Sequence, residues 1–196
     1  MVDISHVSDK TVLDALETSR SPVIASHSSA RALNDIPRNM SDDILRAIGR
    51  KGGVVCINFH AGYLDKRAYD VYMGNRESRV REVKEAMALH AASPARWEIV
   101  RAILQRYYRM MPPVEVSQLL RHIDHVAKVA GVDHVGLGSD FDGISGMAPR
   151  GMEDVSKYPV LVKELIEMGY SDGDIRKIMG ENLLRVMRAN EGGAEK

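Results

Sequence analysis

SPVIASHSSARALNDIPRNMSDDILRAIGRKGGVVCINF, residues 21–59, reads as a strand, a loop, a helix and a second strand. Pro22 opens the apolar run PVIAS, which has the length and branching of a buried parallel strand and delivers His27 at its C-terminal end. From His27 to Asn39 no apolar residue recurs at helical spacing, so this stretch reads as a loop. Ser41, followed by Asp42 and Asp43, has the chemistry of a helix N-cap, because its hydroxyl can accept from an orphan backbone N–H while the two acids meet the positive end of the helix dipole. That helix runs to Arg50, and Gly52-Gly53 end it before VVCINF.

Working outward, the same alternation recurs. VDIS reaches His6 as the end of a strand, and a helix follows with Ser8 or Asp9 as its cap and Val12, Leu13 and Leu16 as its apolar stripe. Residues 65–113 differ in texture. They hold two charged helical patterns, VREVKEAMALHAA and ARWEIVRAILQRYYRMM, with Pro94 between them and Pro112-Pro113 closing the stretch. They read as an insertion over a loop face. Val114 to Val129 restores an amphipathic helix that Gly131 ends, and HVGLGS is a buried-type strand leading into DFDG. Helices follow around 155–168, 172–179 and 181–189.

About four βα units in one 196-residue domain predict an α/β fold with a parallel sheet covered by helices. It is either an open doubly wound sheet or a (β/α)8 barrel. A whole barrel needs roughly 250 residues, so a barrel reading makes this chain part of one, with open sheet edges. Both architectures place chemistry beyond the C-terminal ends of the strands. His6, His27, Asn58 to Tyr63 and Asp140 all fall there.

Lys+Arg and Asp+Glu are equal at 27 each, which gives a net charge of zero and no basic stripe for nucleic acid. No window approaches the ~20 apolar residues of a membrane span, and no leader is visible, so a soluble, cytoplasmic rather than exported protein is expected. The single cysteine, Cys56, sits within GGVVCINF and reads as a buried, inert thiol.

His6 and His27 suit zinc as neutral imidazoles at neighbouring strand ends, although each alone could equally cap a strand or helix. Two ligands are fewer than the three protein ligands a catalytic zinc ordinarily keeps. Asp140 and Asp142 in GLGSDFDG could ligate metal or move protons, or could only cap a loop. Arg38, in a loop, could fork onto a substrate carboxylate, or be an ordinary surface arginine. His60 in NFHAGY lies near the same strand ends without an assigned partner. His122 and His125, together with the charged helix 79–89 and Trp97, read as solvated or structural surface.

The segments ISHVS, PVIASHSSARAL, PRNMSDDIL, GGVVCINFHAGYL, HIDHVAKVAGVDHVGLGSDFDG and GMEDVSKYPVLVKELIEMGYSDGDIRKIMGENLLRVM occur in an order, and over nearly the whole chain, that resembles the membrane (renal) dipeptidase family. The 21-residue separation of His6 and His27 (27 − 6 = 21) matches that family's pair of zinc-binding histidines. The resemblance implies a (β/α)8 barrel with two zinc ions bridged by a glutamate, hydrolysing dipeptides whose C-terminal residue has either configuration. It implies that His6 and His27 ligate the second zinc and that Asp140 is the acid/base during attack by a metal-activated hydroxide. It further implies that Arg38 holds the substrate carboxylate, that Tyr63 contacts substrate, and that Asp142 orders the Asp140 loop beside it.

The family's His-x-Asp and bridging glutamate precede the region resembled, and no such series stands before His6. The chain is therefore expected to be a C-terminal half, weak or inactive alone, with a second copy or a complementary N-terminal half as its implied partner. Two other readings stand beside this one. One is a noncatalytic half-barrel module, and the other is a different metal-dependent amidohydrolase or phosphoesterase on a related barrel.

Overall fold

The branched apolar runs form the sheet. Strands Ile24–Ser28 (β1) and Val54–Asn58 (β2) pair in parallel with Ile24 opposite Val54, and Val135–Gly138 (β3) pairs in parallel with the other side of β2. Strand order follows chain order, β1-β2-β3. This computed structural model describes residues 1–192 and is an α/β fold in which helices cover a parallel sheet.

The segment before β1 contributes less strand than its sequence predicts. Asp3 makes an isolated parallel bridge to Ile24, Ile4 N donates to Ile24 O at 2.8 Å, and the chain then turns at Ser5-His6. The Asp3 carboxylate causes the turn by accepting from the Ser5 N–H at 2.9 Å, a local alternative to continuing the ladder. Helix Asp9–Thr18 (α1) starts at Ser8, whose hydroxyl accepts from Thr11 N. Val12 and Leu16 are buried, but Leu13, predicted on the same stripe, is 51% exposed because α1 packs on one narrow face.

Helix Asp42–Arg50 (α2) begins at Ser41 as predicted. Between β2 and the next core helix the chain forms four helices rather than two: Ala61–Leu64 (α3), Lys66–Gly74 (α4), Arg76–Leu89 (α5) and Arg96–Tyr108 (α6). Helix α4 escaped the periodicity because only Ala68 of it is buried; Asp65 caps it by accepting from Arg67 N at 2.8 Å. Helix α5 is not a uniformly solvated face either. Arg79 is buried, stacks on Tyr72 at 3.9 Å and donates to the Tyr72 carbonyl at 2.7 Å.

Helix Val116–Ala130 (α7) ends at Gly131, whose φ of +100° is open to glycine at little cost. After β3 come Tyr158–Glu167 (α8), Asp172–Arg176 (α9), a kinked turn over Lys177–Glu181, and Asn182–Glu191 (α10). The alternation of side chains along the strands sorts two packing layers. Val55, Ile57 and Val135 pack with Leu45, Ile48, Leu119, Ile123 and Val126 of α2 and α7. Ile24, Val54 and Cys56, on the opposite face, pack against Val186 of α10.

Helix α10 is tied to the N-terminal ends of the strands. Asn182 Nδ2 donates to Val132 O and Val135 O, Arg185 to Gly52 O, and Asn190 to Pro22 O. That end of the sheet is covered, and the polar residues gather at the other. No helix among the described residues is long and apolar enough to cross a membrane.

Candidate active site

The turn at Ser5-His6 and the end of β1 bring two imidazoles together. His6 Nε2 and His27 Nε2 lie 2.7 Å apart, with ring centroids separated by 4.8 Å. His6 adopts φ +66° and Asp140 φ +56°, two of only three non-glycine residues with positive φ among those described. Backbone conformations of this kind cost about 1 kcal/mol or more and persist where the surroundings hold them. At both positions the strained residue aims its side chain at the same end of the sheet.

Behind His27 stands a chain of polar contacts. Ser26 Oγ lies 2.8 Å from His27 Nδ1 and 2.5 Å from Asp3 Oδ2, while Asp3 Oδ1 accepts from the backbone N–H of Ser5 and of Ser26. Burial alone would raise the Asp3 pKa, but the hydrogen bonds from Ser26 and Ser5 outweigh it and hold the carboxyl below its ordinary value. The His6 pKa is lowered, first by burial and then by the positive charge of Arg38 and by His27, against the opposing charges of Asp140 and Asp3. His6 thus lies within electrostatic reach of both Arg38 and Asp140.

Asp140 follows β3. Its Oδ2 accepts from Asn58 Nδ2 at 3.2 Å, and its backbone carbonyl accepts from Gly143 N and Ile144 N, closing the turn. Asp142 is exposed and makes no side-chain hydrogen bond among the described residues, so the Asp140 carbonyl holds this turn and the Asp142 carboxylate does not. Arg38 is not free on the surface. It donates to the His27 carbonyl at 3.0 Å and sits 5.3 Å from the Tyr63 ring centroid.

Tyr63 in turn stacks on His60, with centroids 4.2 Å apart and planes 16° from parallel. His60 is buried, which pushes its pKa down to about 4. Its Nδ1 accepts from Gly62 N at 3.0 Å, and its Nε2 has no partner among the described residues. Of the two helical histidines read as solvated surface, His122 is instead buried, at 1% exposure. Its Nδ1 accepts from Ala30 N, and its Nε2 reaches Leu64 O at 3.2 Å. His125 is half-buried against Asp42 at 2.7 Å. Both serve as cross-links between segments.

Sequence reasoning missed Asp3 and Ser26 as parts of this site, and it placed Asn58 at the strand ends without giving it a role. The signal available was that each stands one or a few residues before a singled-out histidine or at the same strand end. No group of three or more His, Cys, Asp or Glu able to hold a metal occurs among the described residues. The converging Nε2 atoms of His6 and His27 are suitable nitrogen donors for a borderline ion such as zinc, and they supply two of the three or four protein ligands such an ion takes.

The family model of membrane dipeptidase, Peptidase family M19, matches residues 1–196. The chain belongs to the membrane dipeptidase family. An uncharacterized dipeptidase of Schizosaccharomyces pombe is 38% identical to it over 192 residues, covering 97% of this chain and 36% of the relative. Among solved structures, the probable dipeptidase PvdM of Pseudomonas aeruginosa is 30% identical with a TM-score of 0.72, covering 95% of this chain and 49% of that one. A metallopeptidase of Rhodobacter sphaeroides, liganded with a phosphinate mimic of the dipeptide L-Ala-D-Ala, is 28% identical with a TM-score of 0.70, covering 96% and 42%. The chain spans less than half the length of each of these three proteins. Membrane dipeptidase family members are metal-dependent hydrolases, generally of zinc.

Proposed function

We propose that this chain supplies one side of a zinc-dependent dipeptidase site, with His6 and His27 as metal ligands and Asp140 as the proton-transferring carboxylate. The observation that carries the reading is the 2.7 Å approach of the two Nε2 atoms at the strand end where Asn58 holds Asp140. When bound, zinc polarises a peptide carbonyl and acidifies water. Asp140 takes the proton of the attacking water and returns it to the departing amine, a role its hydrogen bond from Asn58 orients. Arg38, anchored on the His27 carbonyl and backed by the Tyr63 ring, carries the positive charge that meets a dipeptide's C-terminal carboxylate. Tyr63, beside Arg38, is the candidate tyrosine for contact with substrate, and Asp142, two residues beyond Asp140, is a further candidate on the substrate side.

The substrate class is supported by the family and by the dipeptide mimic held in the Rhodobacter sphaeroides relative. The Asp3 bridge, β1, β2 and β3 lie in sequential parallel order, which suits successive staves of a (β/α)8 barrel and equally one half of a doubly wound sheet, so the barrel reading is supported by the family rather than by strand order. We take the chain as one partial-barrel domain with residues 65–113 as a helical insertion, whose remaining staves come from a complementary half or a second copy.

Two experiments test this. Zinc titration of the purified chain should show binding that His6→Ala and His27→Ala each abolish; unchanged metal content in both variants would defeat the proposal. Hydrolysis of L-Ala-D-Ala at saturating zinc should be weak or undetectable, because two ligands hold a catalytic ion poorly, and Asp140→Asn should remove whatever activity there is.

A further inference from the structure

We propose that Asp3 and Ser26 are positioning residues that lock His27 in the tautomer with hydrogen on Nδ1, leaving a bare Nε2 lone pair facing His6. The inference rests on the zinc-site reading for its purpose but not for its geometry. Ser26 Oγ has three polar neighbours: Asp3 Oδ2 at 2.5 Å, His27 Nδ1 at 2.8 Å and Ser5 Oγ at 3.4 Å. A hydroxyl has one proton, and an ionised carboxylate can only accept. The short contact to Asp3 therefore takes the Ser26 proton, and Ser26 Oγ meets His27 with a lone pair.

The only hydrogen that can fill the 2.8 Å contact is one carried by His27 Nδ1. A neutral imidazole with hydrogen there has none on Nε2, so His6 supplies the hydrogen in the 2.7 Å contact between the two rings. His27 is thereby prepared to ligate without moving a proton. The contact through Ser26 also fixes the orientation of the ring, as carboxylates behind metal-bound histidines do.

The same carboxylate sets the position of both histidines. Asp3 Oδ1 accepts from Ser5 N, which forms the turn presenting His6, and from Ser26 N beside His27; Ser5 Oγ accepts from His27 N at 3.1 Å. Asp3 thus ties the pre-β1 turn to β1 across the gap that the two rings share. Nothing else among the described residues makes a side-chain hydrogen bond to His27 Nδ1.

The test is the imidazole 15N spectrum of the metal-free 196-residue chain at pH 8, together with zinc affinity. In the unsubstituted protein His27 should show a protonated Nδ1 and a bare Nε2. Ser26→Ala should shift His27 towards the Nε2-protonated form and weaken zinc binding by about tenfold or more, while Ser26→Thr, which keeps the hydroxyl, should retain both properties. A protonated Nε2 on His27 in the unsubstituted protein overturns the proposal, and needs no variant to fold. So does a Ser26→Ala protein with unchanged tautomer and zinc affinity. Should His27→Ala leave zinc binding intact, the metal reading fails while the tautomer measurement still decides the positioning claim.

Discussion

Gly143 lies against the carboxylate of Asp140 so closely that a β-carbon at 143 would come within 2.2 Å of Asp140 Oδ1. The turn after β3 is therefore built so that a missing side chain leaves the room in which the Asp140 carboxylate turns towards Asn58. The neighbour that must yield to a methyl group is the end of a short side chain, not the backbone. Gly143→Ala is expected to change stability by under about 1 kcal/mol while breaking the Asn58–Asp140 hydrogen bond. Denaturant unfolding checks the first part, and the Asn58 side-chain amide resonances check the second.

Gly49 of α2 makes the opposite kind of contact. A β-carbon there would meet the Ala130 carbonyl oxygen of α7 at 2.7 Å, and backbone atoms of a packed helix cannot step aside. Gly49→Ala gains helix propensity but forces α2 and α7 apart, with a net loss of about 1–3 kcal/mol. A urea midpoint equal to or above that of the unsubstituted protein would show that the two helices do not cross this closely.

His60 and His122 should weaken the fold in mild acid. Burial first, and for His60 also the Arg79 and Arg38 charges, push both pKa values down to about 4 from an unfolded value near 6.5. Between these values the unfolded chain binds a proton that the folded chain refuses, so stability is full above pH 6.5 and falls as pH drops towards 4. The combined loss is on the order of a few kcal/mol. Urea midpoints across this window measure it, and His122→Gln should flatten the slope by removing one of the two protons.

Cys56 faces α10 from β2, and its burial pushes the thiol up to about 12. It is expected to resist a disulfide reagent at pH 8 in the native protein and to react fully once urea unfolds the chain. Rapid labelling without denaturant would mean that α10 does not cover this face.

Much of the frame was readable because it depends on local pattern. Ser8 and Ser41 cap their helices, Gly131 stops α7, and the runs PVIAS, VVCINF and HVGLGS become strands, since caps and branched apolar runs act through neighbours a few residues away. The failures share the opposite cause. Leu13 obeys the stripe yet stays exposed, and Arg79 and His122 look like surface yet are buried. Each outcome depends on which remote element arrives: Tyr72 for Arg79, and Ala30 and Leu64 for His122.

The sequence by itself determined the family, the alternation of strands with helices, and the positions of His27 and Asp140 at strand ends, because motif order and side-chain period are properties of the chain. Only the tertiary structure decided that two imidazoles 21 residues apart would face each other, that Asp3 would reach Ser26 behind them, and that Asn58 would hold Asp140. Those contacts depend on strand register and on turns closed by single side chains, and hydrogen bonds tolerate errors of only a few tenths of an ångström, which no local pattern specifies.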